Sequence, residues 1–295
     1  MKVIITIPAY NEEKTISHVI KDIKDVMNTS KYKSDYKVLV IDDGSKDKTA
    51  ELAKKAGALV YSHPKNYGLA ETFRTELKVC LKLGAEIIVH TDADGQYSAK
   101  DIPLLLEKIN QGYDLVLGSR FRGKIEYMPV IKRIGNKAFS KVISKITRTE
   151  ISDAQTGFRA FRKDVAEKIN LISWHTYTQE QIIRAVREKF RIAEVPVYFG
   201  KRNDKSRLIS NPFEYATRAW INIFRIYRDY EPLKFFGSIG FILTLIGILL
   251  GLFITYSFVT TGNAGGTPRV ILSMLLILVG IQIILFGFLA DMNRK

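Results

Sequence analysis

Two stretches near the C-terminal end, Phe235–Val259 and Val270–Ala290, contain no charged residue. Each is long enough to cross a hydrocarbon core of about 30 Å as a helix, which takes about 20 residues. A helix in a soluble core normally keeps a polar stripe, whereas these are apolar around their whole circumference, so a buried soluble hairpin is the weaker reading. The connection Thr260–Pro268 is short and uncharged, which makes the pair a transmembrane hairpin. At the other end Met1-Lys2 leads directly into a short strand-like run that soon turns polar, so no cleaved leader is expected.

The preceding chain alternates strands and helices. Lys2–Pro8, Tyr36–Ile41, Ala58–Ser62, Ile87–Thr91 and Leu115–Ser119 read as strands. Between them lie helical patterns after Glu13, over about Asp47–Ala56, over Leu69–Leu83 and from Ser98 to about Asn110. This is the signature of βαβ units: an α/β domain with a mainly parallel, Rossmann-like sheet and helices on both faces. Ligands of such sheets bind beyond the carboxyl ends of the strands. Three of those ends are polar and acidic here: Pro8–Glu12, Asp42–Ser45 and Asp92–Gln96. The Asp92-Ala93-Asp94-Gly95 turn places two carboxylates one residue apart, suited to a hard divalent cation that keeps positions open for substrate phosphates. Alone it could equally be turn chemistry, but as one wall of a pocket with two more acidic strand ends it reads as a metal site. No glycine-rich phosphate loop follows the first strand and no Walker lysine is present, which argues against dinucleotide dehydrogenases and P-loop ATPases.

TIPAYNEE, VLVIDDGSKDKT, the Asn66-x-Gly68 turn, TDADGQ, Gly118-Ser119-Arg120 and SDAQTGFRAF occur in that order. Together they resemble the family 2 inverting glycosyltransferases, and more narrowly the polyprenyl-phosphate (dolichyl-phosphate) sugar synthases, over essentially the whole chain. The resemblance implies a GT-A-type fold and a site in which Pro8, Tyr10, Glu12, Ile41 and Asp43 line the nucleoside. Asp92, Ala93, Asp94 and Gln96 would hold the diphosphate and its Mg²⁺ or Mn²⁺, with Asp92, Asp94 and Gln96 as the metal ligands. Arg120 would contact the diphosphate end, and Asp153 would sit at the reacting centre, unless it is simply a helix cap. The basic loop after Phe199 usually carries a phosphate clamp in the family. Arg202, Ser206 and Arg207 fit that pattern, with the spacing one residue short, a glycine lost and arginine in place of lysine. The implied partners are a nucleotide diphosphate sugar (GDP-mannose, UDP-glucose or UDP-N-acetylglucosamine), polyprenyl or dolichyl phosphate, and membrane lipid.

The net charge is +15. A nucleic-acid partner would account for it, but no nucleic-acid motif is present and the charge gathers beside the apolar spans, so anionic headgroups and phosphorylated substrates are the preferred explanation. The basic, amphipathic pattern between Phe121 and Ile151 fits either an interfacial helix or a plain surface helix. Phe213–Tyr230 interleaves aromatic residues with Arg218, Arg225 and Arg228, which suits a headgroup layer. The expected organisation is therefore a catalytic domain over 1–210, an amphipathic juxtamembrane helix over 211–231 and a hairpin over 232–295, with spans at about 235–259 and 270–290. Positive flanks, including Arg294-Lys295, place the catalytic domain and both termini in the cytoplasm. Copies could associate through glycine faces such as Gly240, Gly247 and Gly251. Cys80 is expected in the core. A processive polysaccharide synthase would want a polymer channel and a QxxRW segment, where this chain has Gln179-Glu180-Gln181-Ile182-Ile183-Arg184-Ala185. A non-catalytic nucleotide-sugar-binding scaffold is the remaining alternative.

Overall fold

The structure is a computed structural model that describes residues 2–169, 171, 177–201, 221, 224–263 and 266–293. It divides into two compact units, Met1–Pro212 and Phe213–Lys295.

The first unit is built on a seven-stranded sheet in the order β3-β2-β1-β4-β6-β5-β7. Its strands are β1 Val3–Ala9, β2 Tyr36–Asp42, β3 Leu59–Ser62, β4 Ile87–His90, β5 Leu115–Ile125, β6 Arg159–Arg162 and β7 Ile192–Phe199. The helices are α1 Ile16–Thr29, α2 Thr49–Lys55, α3 Leu69–Lys82, α4 Ile102–Asn110, α5 Val130–Thr147, α6 Lys163–Lys168 and α7 Thr178–Arg187. β1 lies between β2 and β4, parallel to both, and Val3, Ile4, Ile5 and Ile7 are fully buried. Such a run, apolar on both faces, is what a central parallel strand covered by helices requires. In α1 the buried Ile16, Val19, Ile20, Ile23 and Met27 keep one helical face on this core. Cys80 is buried on α3, in the core as expected.

Two features depart from the plain alternating reading. β6 is antiparallel to both β4 and β5 and separates them. Its sequence, Arg159-Ala160-Phe161-Arg162, is short and flanked by arginines, so it carries no strand periodicity of its own. β5 continues to Ile125, with an irregularity in its pairing to β7 between Ser119 and Lys124. An extended strand with a local break re-aims side chains near its bend, and Arg120 lies in this break.

The second unit contains two long helices, α8 Pro232–Thr261 and α9 Thr267–Met292, each long and apolar enough to cross a membrane. The glycine faces offered for association between copies are used inside this hairpin instead. Gly240, Gly247 and Gly280 are buried, and a Cβ at Gly240 would run into the Gly280 carbonyl oxygen. A Cβ at Gly247 would come 2.7 Å from Ile277 Cγ1, and the Ser273 hydroxyl donates to the Gly247 carbonyl at 2.8 Å. With no hydrophobic drive between helices in lipid, such close approach and interhelical hydrogen bonding hold spans together. Gly240→Ala should lower the helical melting midpoint of the protein in micelles, by the equivalent of about 1–3 kcal/mol for overpacking. Gly237→Ala, whose added Cβ meets nothing within 4 Å, should leave the midpoint in place.

Candidate active site

The carboxyl ends of β1, β2 and β4 lie side by side. Pro8 pairs with Ile41 and Ala9 with Asp42, and the Asp43 amide continues the ladder to the Ala9 carbonyl at 2.9 Å. The loop after β1 is then laced to the turn after β2. The Asn11 amide donates to the Ser45 hydroxyl at 2.9 Å, the Lys46 amide to Asn11 Oδ1 at 2.8 Å, and the Glu12 amide to Thr49 Oγ1 at 2.8 Å. Pro8, Tyr10 and Glu12 keep part of their surface exposed at this edge. Ile41, expected to line the nucleoside, is fully buried, so its side chain belongs to the core. Asp43 is buried as well. Its carboxylate accepts from the backbone amides of Tyr67 and Gly68, each at 2.9 Å, and lies 2.7 Å from His63 Nδ1. Asp43 therefore braces the Asn66-x-Gly68 turn against the pocket wall, with His63 as a partner that no sequence pattern singled out.

On the next strand, the Thr91 amide donates to the Thr6 carbonyl at 3.0 Å and the chain then turns into the acidic loop. Asp92 sits deep among protein atoms while keeping one side open to solvent, and Ala93 behind it is buried. Burial, with the Asp94 charge beside it, pushes the Asp92 carboxyl up to about 6. A carboxylate whose proton affinity is raised by burial and a neighbouring acid is one that a divalent cation relieves. The surroundings fit this use. A Cβ on Gly157 would stand 2.8 Å and 2.9 Å from the two Asp92 oxygens, so the backbone at 157 closes against the carboxylate only because no side chain intervenes. Gln96 donates its Nε2 to the Gly200 carbonyl at 2.9 Å while its backbone carbonyl accepts from the Gly200 amide, so its side-chain Oε1 is the group able to face a cation. Among the described residues no third His, Cys, Asp or Glu joins the pair, so a cation here would complete its shell with Gln96, water or substrate oxygens, as magnesium-like ions commonly do.

Arg120 and Asp153 meet as a buried bidentate pair. Arg120 Nε donates to Asp153 Oδ2 at 2.7 Å, Nη2 to Oδ1 at 2.8 Å and the Arg120 amide to Oδ2 at 3.1 Å. Asp153 has no exposed surface, whereas Arg120 retains 8%. Burial alone would draw the guanidinium pKa down, but the Tyr97 hydroxyl and the Asp153 carboxylate outweigh it, and Arg120 is held more firmly protonated than usual. Asp153 thus faces Arg120 and caps no helix. The Arg120 guanidinium also lies over the Phe199 ring at 5.2 Å.

Sequence reasoning missed Tyr97 and Glu194. The Tyr97 hydroxyl accepts from the Gly157 amide at 3.2 Å, lies 3.2 Å from the Thr156 hydroxyl, and is pushed up to about 12 by burial. Glu194, in β7, accepts from the amides of Ser152 and Asp153. A carboxylate in the middle of a largely apolar strand was the available signal. Glu180 pairs with Arg184 one turn along α7 at 2.7 Å. Arg202, Ser206 and Arg207 lie outside the described residues.

Residues 4–170 match the family model described as glycosyl transferase family 2. The chain belongs to glycosyltransferase family 2. Residues 214–294 match the C-terminal transmembrane region of the same family, so α8 and α9 form a membrane-spanning region. Glycosyltransferase AglJ of Haloferax volcanii is 30% identical over 98% of this chain and 93% of its own length. The dolichyl-phosphate hexose transferase of the same organism is 34% identical over 69% of this chain and 84% of its own. In fold the chain is similar to glucosyl-3-phosphoglycerate synthase from Mycobacterium tuberculosis, solved in complex with Mn²⁺, UDP-glucose and phosphoglyceric acid. The TM-score is 0.59 at 19% identity, over 77% of this chain and 78% of that one.

With its carboxyl pushed up to about 6, Asp92 would exchange a proton for any cation held at the Asp92–Asp94 turn. Its raised pKa also means that its contribution to stability is lost as pH rises through that value. Mn²⁺ should therefore raise the melting temperature more at about pH 7.5 than at about pH 5. Asp92→Asn should shrink the gain at the higher pH.

Proposed function

We propose that this family 2 glycosyltransferase moves one hexosyl unit from a nucleotide diphosphate sugar to the phosphate of a polyprenol such as dolichol, with inversion at the anomeric carbon. The observation that carries the reading is the juxtaposition of the Asp92–Asp94 pair with the Arg120 guanidinium at the carboxyl edge of the sheet, in a chain that also bears the family's membrane-spanning region. The Haloferax relative named as a dolichyl-phosphate hexose transferase supports the acceptor class, and the Mn²⁺ and UDP-glucose bound to the mycobacterial synthase support the donor and cation classes.

Asp92 and Asp94, with Gln96, would hold Mg²⁺ or Mn²⁺. That cation supplies Lewis-acid neutralisation of charge on the departing nucleoside diphosphate. Arg120, its charge balanced by Asp153, would add N–H donors beside it that are already oriented, so little reorganisation is needed as charge develops. Asp153 holds that guanidinium and is shielded from the acceptor, so proton abstraction by Asp153 is not part of the reading. None is needed: a phosphate monoester has a second pKa of about 6, and the acceptor is mostly a dianion at neutral pH. Pro8, Tyr10 and Glu12 would receive the nucleoside at the edge braced by Asp43, and Ala93 would shape the floor. Arg202 and Arg207 are assigned to the phosphate clamp on resemblance. The positive flanks of the hairpin support a cytoplasmic side for the catalytic unit and both termini, where a lipid phosphate lies at the leaflet surface.

Membranes carrying the protein, supplied with polyprenyl phosphate, Mn²⁺ and radiolabelled GDP-mannose, UDP-glucose or UDP-N-acetylglucosamine in turn, should yield lipid-extractable label from one donor, and Asp94→Ala should abolish it. Tight donor binding with no lipid label from any of them would favour the non-catalytic scaffold.

A further inference from the structure

Glu194 has a side chain only 3% exposed, in a strand that carries no other charge. A carboxylate buried to that degree is tolerated only when hydrogen bonds and countercharge replace its hydration. Its bonds are specific. Oε1 accepts from the Ser152 amide at 2.9 Å and from the Asp153 amide at 3.1 Å, Oε2 accepts from the Ser152 amide at 3.1 Å, and Oε2 lies 3.0 Å from Arg122 Nε. The residue whose amide it grips is the residue whose carboxylate grips Arg120. β5 and β7 are in register here, Leu117 opposite Glu194, so the grip is anchored in the sheet and not in a loop.

We infer that Glu194 is a positioning residue for the diphosphate end of the donor site: it fixes the backbone at 152–153, Asp153 then fixes the guanidinium of Arg120, and Arg120 meets the distal phosphate. The inference rests on the donor site proposed above. A carboxylate placed only to stabilise the loop would affect every ligand of the pocket alike. One acting through Arg120 affects ligands that possess the second phosphate.

Binding of UDP and UMP, and of GDP and GMP, to the full-length protein in detergent with Mn²⁺ separates these cases. In the wild type the diphosphate of one pair should bind more tightly than its monophosphate, and Arg120→Ala should narrow the difference to what the cation alone contributes. Glu194→Asp keeps the charge near Arg122 but withdraws the carboxylate by one carbon, about 1.5 Å, from the two amides. It should weaken the diphosphate about tenfold, as loss of an orienting partner commonly does, leave the monophosphate within about twofold, and add nothing in the Arg120→Ala background. Glu194→Gln retains an acceptor oxygen for both amides and should stay within about threefold of wild type for the diphosphate. Unchanged diphosphate affinity in Glu194→Asp, or equal weakening of both nucleotides, overturns the inference and leaves the donor site standing. A wild type that distinguishes neither pair overturns the donor-site reading and this inference with it.

Discussion

The paired charges of Arg120 and Asp153 are the constraint around which one side of the sheet is arranged. Removing an arginine and a carboxylate from water costs several kcal/mol per ion, recovered only when their geometry is close to ideal and the remaining hydrogen-bonding capacity is used. Here the pairing is bidentate and reinforced by the Arg120 amide. It needs β5 broken after Ser119, the 152–157 loop folded back over the strand end, and β7 alongside to grip that loop. Either ion alone would be an uncompensated buried charge, so this corner of the domain is built as a unit.

The opposite electrostatic situation holds a few residues away. Asp92 and Asp94 repel, Gly157 allows backbone to press against one of them, and Gln96 joins the loop to the end of β7 at Gly200. One half of the pocket is neutralised internally and rigid. The other places two carboxylates one residue apart, and that is the half from which a cation would gain most. Asp43, by contrast, has spent its charge on backbone amides and serves the pocket by shaping it.

Much of this was legible in the residues. Alternating apolar strands and amphipathic helices specified the layered domain, because each element must bury a face of fixed period. The charge-free runs specified α8 and α9, and the acidic strand ends marked the edge where the candidate site lies. What escaped was whatever depends on long-range pairing. β6 is too short and too basic to announce itself. The partnership of Asp153 with Arg120 joins residues far apart in the chain, and nothing local states that each is the other's ligand. Glycines at 240, 247 and 280 look alike whether they face a second copy or the chain's own returning helix, since the preference for small residues is the same in both cases.

The antiparallel β6 also imposes an order on assembly. β4 cannot meet β5 directly, since residues 159–162 must lie between them. During synthesis the segment carrying Ile87, Ile88 and Val89 therefore leaves the ribosome with one side already satisfied by β1 and the other an open edge, the kind of surface that invites pairing with a stranger. It stays open while α4, β5 and α5 are made. The strand that closes it follows directly on the loop that places Gly157 against Asp92, so one short stretch of chain both covers the sticky edge and walls the acidic turn.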